Sequence, residues 1–117
     1  MSTILQVEEQ RQGNIPVLLL RGRMDSTTSP EAEGQLNRLI GEGAQHIVID
    51  FSDLEYISSA GLRVLLAAQK RMKQTGGTVL LAALRPEIRK VFDIAGFNRL
   101  FSISPSIEEA LGTGQGR

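Results

Sequence analysis

The chain contains no cysteine, which excludes disulfides, thiol catalysis and cysteine-ligated metals together. It has a single histidine, His46, so a histidine-cluster metal site is excluded as well. It has no excess charge of either sign. Thirteen Lys and Arg balance thirteen Asp and Glu, and the electrostatic footprint of a nucleic-acid binder or a polybasic membrane ligand is missing. Its longest apolar runs, Ile15 to Leu20 and Thr78 to Leu84, fall far short of a bilayer span. Met1-Ser2-Thr3-Ile4 shows no basic segment followed by an apolar stretch, so no secretory signal is expected. These absences predict a cytoplasmic protein with no cofactor, no metal, no nucleic acid and no membrane among its partners.

What is present fits one domain. At 117 residues, with 41% hydrophobic and 22% charged residues, the chain is long enough for a core and polar enough for a soluble surface. Thr3 to Val7 and Ile15 to Leu20 flank the polar turn Gln10 to Asn14 and predict an antiparallel hairpin, with Pro16 near a strand start or edge. Asp25-Ser26-Thr27-Thr28 then leads to Ser29-Pro30-Glu31, a helix entry with hydroxyl cap, proline and acid in order. Ala32, Leu36, Leu39 and Ile40 supply its apolar stripe, and Gly41-Glu42-Gly43 stops it.

His46 to Asp50 reads as a buried strand, followed by a loop from Phe51 to Ile57. A helix runs from Ser59 to about Thr75, its inner side carrying Leu62, Leu65, Leu66, Gln69 and Met72. Thr78 to Ala83 is a further buried strand, and Arg85-Pro86-Glu87 opens a helix closed by Gly96. A short strand at Leu100 to Ile103 and a last helix from Pro105 to Leu111 complete a domain of residues 1–111, with 112–117 as a disordered tail. Strands alternating with helices predict an α/β fold. Its mixed sheet has four to five strands, an antiparallel hairpin first and then largely parallel, with about four helices.

The chemistry concentrates at Ser58-Ser59-Ala60-Gly61. The first N–H groups of a helix lack internal partners and its dipole favours negative charge there. A serine at that place is either a helix cap or the address of a phosphate. No P-loop pattern is present, and one histidine gives no convincing Ser/His/Asp set. The chain reads as an enzyme's substrate and not as an enzyme.

The stretch from Ile49 to Leu66, Ile-Asp-Phe-Ser-Asp-Leu-Glu-Tyr-Ile-Ser-Ser-Ala-Gly-Leu-Arg-Val-Leu-Leu, resembles the anti-anti-sigma factors (anti-sigma factor antagonists) of the STAS family. Leu20 to Asp25, Gly76-Gly77 and Val91 to Phe97 resemble further landmarks of that family, and the likeness covers nearly the whole chain. It implies a small switch. The unphosphorylated form binds an anti-sigma factor that is also a serine kinase and so frees the sigma factor; phosphorylation of one serine releases the complex, and a serine phosphatase restores it. The match puts that serine at Ser59, with Ser58 as the alternative, because Ser58 stands where the family often has Asp and Ala60 where it has a second hydroxyl.

The resemblance also implies a partner-binding surface of Asp25, Ser58, Ser59, Ala60, Gly61 and Arg63. Read from the residues alone, Asp25 is equally an Asx-turn or cap, and Gly61, costly inside a helical turn, marks close backbone approach by a partner or by the Asp25 loop. Asp50 and Asp53 are expected to organise a loop. The basic face of Arg63, Lys70, Arg71 and Lys73 is either solvated or turned to an acidic partner, and His46 is expected at a strand edge. A monomer that forms its complexes in trans is expected. The competing function is a STAS scaffold or sensor-complex subunit that never switches.

Overall fold

The computed structural model describes residues 4–114. Five strands form one mixed sheet in the order β1-β2-β3-β4-β5. β1 (Leu5–Gln12) and β2 (Ile15–Met24) make the antiparallel hairpin. β3 (His46–Ile57), β4 (Thr78–Ala82) and β5 (Ser102–Ser104) follow in parallel. The crossovers are α1 (Ser29–Gly41), α2 (Ser59–Gln74) and α3 (Pro86–Ala95), and α4 (Ile107–Gly114) closes the chain. The expected α/β architecture is the observed one. Among the described residues no helix is long and apolar enough to cross a membrane.

Strand alternation divides the core in two. One face of the sheet, with Leu18, Leu20, Ile47, Ile49, Phe51 and Leu81, packs against Leu36 and Leu39 of α1, Leu62, Leu65 and Met72 of α2, and Ile88 and Phe92 of α3. The other face, with Val17, Val48, Leu80 and Ala82, is covered by Ala110, Ile107 and Leu111 of α4.

Several boundaries differ from those the sequence predicts. The hairpin is tighter: β1 continues to Gln12, leaving Gly13 and Asn14 as the turn, and β2 continues to Met24. Thr3 lies outside the described residues. The largest difference is at Phe51 to Ile57, which is strand and not loop. Strict alternation is broken there because Phe51, Leu54 and Ile57 are all buried at a spacing of three. The register explains how. β2 advances from Leu19 to Arg21 while β3 advances from Asp50 to Asp53, and again from Gly22 to Arg23 while β3 goes from Leu54 to Tyr56. Each step inserts one extra residue into β3, a bulge that returns the next apolar side chain to the core. Gly22, at φ 107°, supplies the left-handed backbone beside the second bulge.

Asp50 and Asp53 are therefore strand residues. Asp50 is buried and accepts the Ser52 N–H at 2.9 Å, and Asp53 pairs with Arg21 across the strands at 3.3 Å. At the C-terminal end, β5 begins at Ser102 and α4 runs from Ile107 to Gly114. Residues 112–114 are thus helical, correcting the expected tail start, and 115–117 lie outside the described residues. His46 is the first residue of the central strand and is half-buried.

Gln69 ties the helical layer to the sheet. Only 4% exposed, it accepts the Val79 N–H of β4 at 2.7 Å through Oε1 and donates through Nε2 to the Leu100 carbonyl at 3.0 Å. Gln69→Leu leaves a buried N–H and a carbonyl without partners, a loss of about 1–3 kcal/mol. Urea unfolding should show a lowered midpoint of that size with an unchanged slope.

Candidate functional site

The long β2–β3 pairing ends with Arg23 opposite Tyr56 and Met24 opposite Ile57. The Met24 carbonyl then accepts the Ser58 N–H at 2.9 Å. This one bond carries the strand pairing past the strands and holds the start of α2 beside the segment that leaves β2 at Asp25.

Asp25 organises its own loop. Its Oδ1 accepts the N–H groups of Thr27 at 2.9 Å and Thr28 at 3.1 Å, which is the Asx-turn reading. The Thr28 hydroxyl accepts the Asp25 N–H at 2.9 Å and donates to the Arg23 carbonyl at 2.7 Å. Thr28 occupies the N-cap position of α1, yet its side chain makes no capping bond, because it is committed to Asp25 and Arg23. The Thr28 amide, foremost among these donors, holds the Asp25 carboxyl below its ordinary value of 3.8.

The two serines divide the work. Ser58 is the N-cap of α2: its backbone is extended and its Oγ accepts the Gly61 N–H at 3.4 Å. Ser59 is the first helical residue, exposed, and its hydroxyl makes no hydrogen bond among the described residues. Of the two serines that could have capped the helix, Ser58 does so, and the Ser59 hydroxyl is left free.

Gly61 is buried, and the close approach it marks comes from within the molecule. A Cβ there would lie 2.8 Å from Ile57 Cγ1, 3.0 Å from Met24 Cγ and 3.2 Å from the Met24 carbonyl oxygen. Only a residue without a side chain lets α2 begin this close to the end of β2. Ala60 is half-buried and Arg63 is exposed one turn along.

Arg23 and Tyr56, opposite each other at the end of the β2–β3 pairing, make a contact that the sequence reading does not anticipate. The Arg23 guanidinium lies 4.2 Å from the centroid of the Tyr56 ring, which is 40% exposed, a cation–π pair on the face opposite Met24 and Ile57. Reading β3 through to Ile57 would have revealed them. The basic residues Arg63, Lys70, Arg71 and Lys73 all project to solvent, and Arg71 donates to Asn37 of α1 at 2.6 Å. His46 lies at the opposite end of the strand from Ser58 and takes no part.

Comparison with known proteins decides the lineage. The family profile of the STAS domain matches residues 6–110. This chain belongs to the STAS domain family. BtrV of Bordetella bronchiseptica, provisionally named an anti-sigma factor antagonist, is 37% identical over 94 residues, covering 80% of this chain and 81% of that protein. The anti-sigma F factor antagonist of Paenibacillus polymyxa is 29% identical over 102 residues, covering 86% and 85%. The fold matches the anti-sigma factor antagonist SpoIIAA, solved in its unphosphorylated form, with a TM-score of 0.80 at 22% identity and 97% coverage of each chain. A structure of SpoIIAA in the phosphorylated form matches at 0.71.

Two outcomes test the local assignments. Ser58→Ala removes the cap and should cost about 0.5–1 kcal/mol in chemical denaturation, the low end for a long capping bond, whereas Ser59→Ala should leave stability within about 0.5 kcal/mol. For Asp25 the lowered folded value means that the loop contacts persist above the ordinary carboxylate value and vanish as pH falls through the folded one. The Thr27 and Thr28 amide resonances should therefore titrate together with a midpoint below 3.8, and Asp25→Asn should abolish that titration.

Proposed function

We propose that this protein is an anti-sigma factor antagonist whose binding is switched by phosphorylation of Ser59. In the unphosphorylated form the surface of Asp25, Ser58, Ser59, Ala60, Gly61 and Arg63 binds an anti-sigma factor that is also a serine kinase, and the sigma factor is released. The kinase transfers the γ-phosphoryl group of ATP to Ser59 Oγ; an O–P bond forms, ADP leaves and the hydroxyl proton is lost. A serine phosphatase reverses the modification. The protein works as a monomer in the cytoplasm and is the kinase's substrate.

The observation that carries this reading is the pairing of an exposed, unengaged Ser59 hydroxyl with a neighbour, Ser58, that already caps the helix. The Ser58 hydroxyl is already tied to the Gly61 N–H, whereas the Ser59 hydroxyl can be modified without giving up a hydrogen bond. The added charge, about −1.5 to −2 at pH 7, meets the positive end of α2 inside the domain. Across an interface built around a neutral hydroxyl it brings desolvation and repulsion by acidic groups. The names of the relatives support the same reading.

The test is binding to the anti-sigma kinase of the same cell, measured with the two charge variants. Ser59→Ala should bind constitutively, and Ser59→Asp should bind at least ten-fold more weakly, a change of about 1.4 kcal/mol. Equal affinity of the two would sink the switch. Mass spectrometry of protein from native cells should place a condition-dependent phosphate on Ser59 and none on Ser58.

A further inference from the structure

Beside Ser59, the first turns of α1 and α2 enclose a groove of about 390 Å³ whose lining includes Ser26, Ser29, Glu33, Ala60 and Arg63. Its walls are short of counter-charge and of hydrogen-bond partners. Ser29 is only 3% exposed, yet its Oγ has no partner. Arg63, the only basic residue of the lining, forms no ion pair, hydrogen bond or ring contact among the described residues. Glu33 lines the groove too, beyond ion-pair distance of any cation among the described residues. The groove thus presents a free guanidinium and an idle buried hydroxyl, both donors in want of an acceptor.

Arg63 follows Ser59 by four residues on the same helix, the spacing at which side chains meet on one face. We propose that Arg63 is the intramolecular partner of a phosphoryl group on Ser59 and draws it over the mouth of the α1–α2 groove. The proposal rests on Ser59 being the modified residue. An acid placed N-terminal to a base at this spacing is the favourable orientation, since the helix dipole acts on the anion in the same sense. The guanidinium is suited to phosphate because its fork can donate twice to one group. A phosphate carrying nearly two charges outcompetes the single charge of Glu33, which stands on the other helix. Modification then acts twice: it places charge at Ser59 and withdraws Arg63 from the surface offered to a partner.

The experiment uses the full chain with phosphoserine genetically encoded at position 59, so that no kinase is involved. Titration of the phosphate by ³¹P NMR should give a second pKa lower by about 0.15–0.4 in the Arg63 protein than in Arg63→Gln. Arg63→Lys should retain most of the lowering, and about 1 M NaCl should erase the difference. Identical titrations of the Arg63 and Arg63→Gln proteins would overturn the pairing. Arg63 is exposed, so both variants keep the fold, which their unmodified forms can show by circular dichroism. Failure of this titration removes the Arg63 pair alone, whereas a phosphate that does not weaken kinase binding removes the switch.

Discussion

The parallel pairing of β2 with β3 is the constraint on which the rest of the site depends. It runs from Val17 opposite Val48 to Met24 opposite Ile57, and the Met24 carbonyl then takes the Ser58 N–H at 2.9 Å. A parallel pair this long would ordinarily turn every second side chain outward. The two bulges in β3 shift that alternation, so that Phe51, Leu54 and Ile57 all reach the core while Ser52, Asp53, Glu55 and Tyr56 stay exposed. The end of β3, and with it the start of α2, is therefore anchored by three apolar side chains. Gly61 allows the helix to begin in van der Waals contact with Met24, so the Asp25 loop and the Ser58–Gly61 turn form one surface.

On that surface, two adjacent serines differ through geometry and not through chemistry. The extended backbone of Ser58 turns its oxygen back to the Gly61 N–H, while the helical backbone of Ser59 turns its own away. Asp25, whose position next to a helix entry invites a direct role toward a partner, spends Oδ1 on its own loop. Its structural contribution is one of shape, because it fixes the backbone between Arg23 and Ser29. The open chemistry at this end of the molecule belongs to Ser59 and Arg63.

Much of this was legible in the sequence, for physical reasons that also account for what was not. Periodicity of 3.6 marked α1, α2 and α3, a run of β-branched residues marked the first half of β3, and an apolar run marked β4, because each buries a continuous stripe. The second half of β3 was illegible because its bulges replace a period of two with one of three, which imitates a loop rich in Ser, Asp and Glu. That error hid Arg23 and Tyr56, whose outward direction follows only from the register. Gly61 announced a close approach without saying whose. The choice between Ser58 and Ser59 as cap turned on one backbone dihedral, which residue identity does not encode. The α4 boundary moved because Thr113 and two glycines are weak helix formers, held here by the helix before them.

The physical scale of the site bears on how a phosphate there could be read. An anion at the first turn of a helix gains roughly 0.3–1 kcal/mol from the dipole. Displacing α2, which buries Leu62, Leu65 and Met72, would cost several times that, since each such side chain is worth roughly 1.5–3 kcal/mol. The fold is thus nearly indifferent to a charge at Ser59, and no displacement of α2 follows from it. A partner is not indifferent, because it must strip water from the same group to make contact, and removing a doubly charged phosphate from water without full compensation is expensive. On the proposed reading the signal would be created at the interface and not by displacement of the fold. A surface held this rigidly suits such a device, since any yielding of α2 would spread the added charge into solvent and weaken the distinction that a partner has to make.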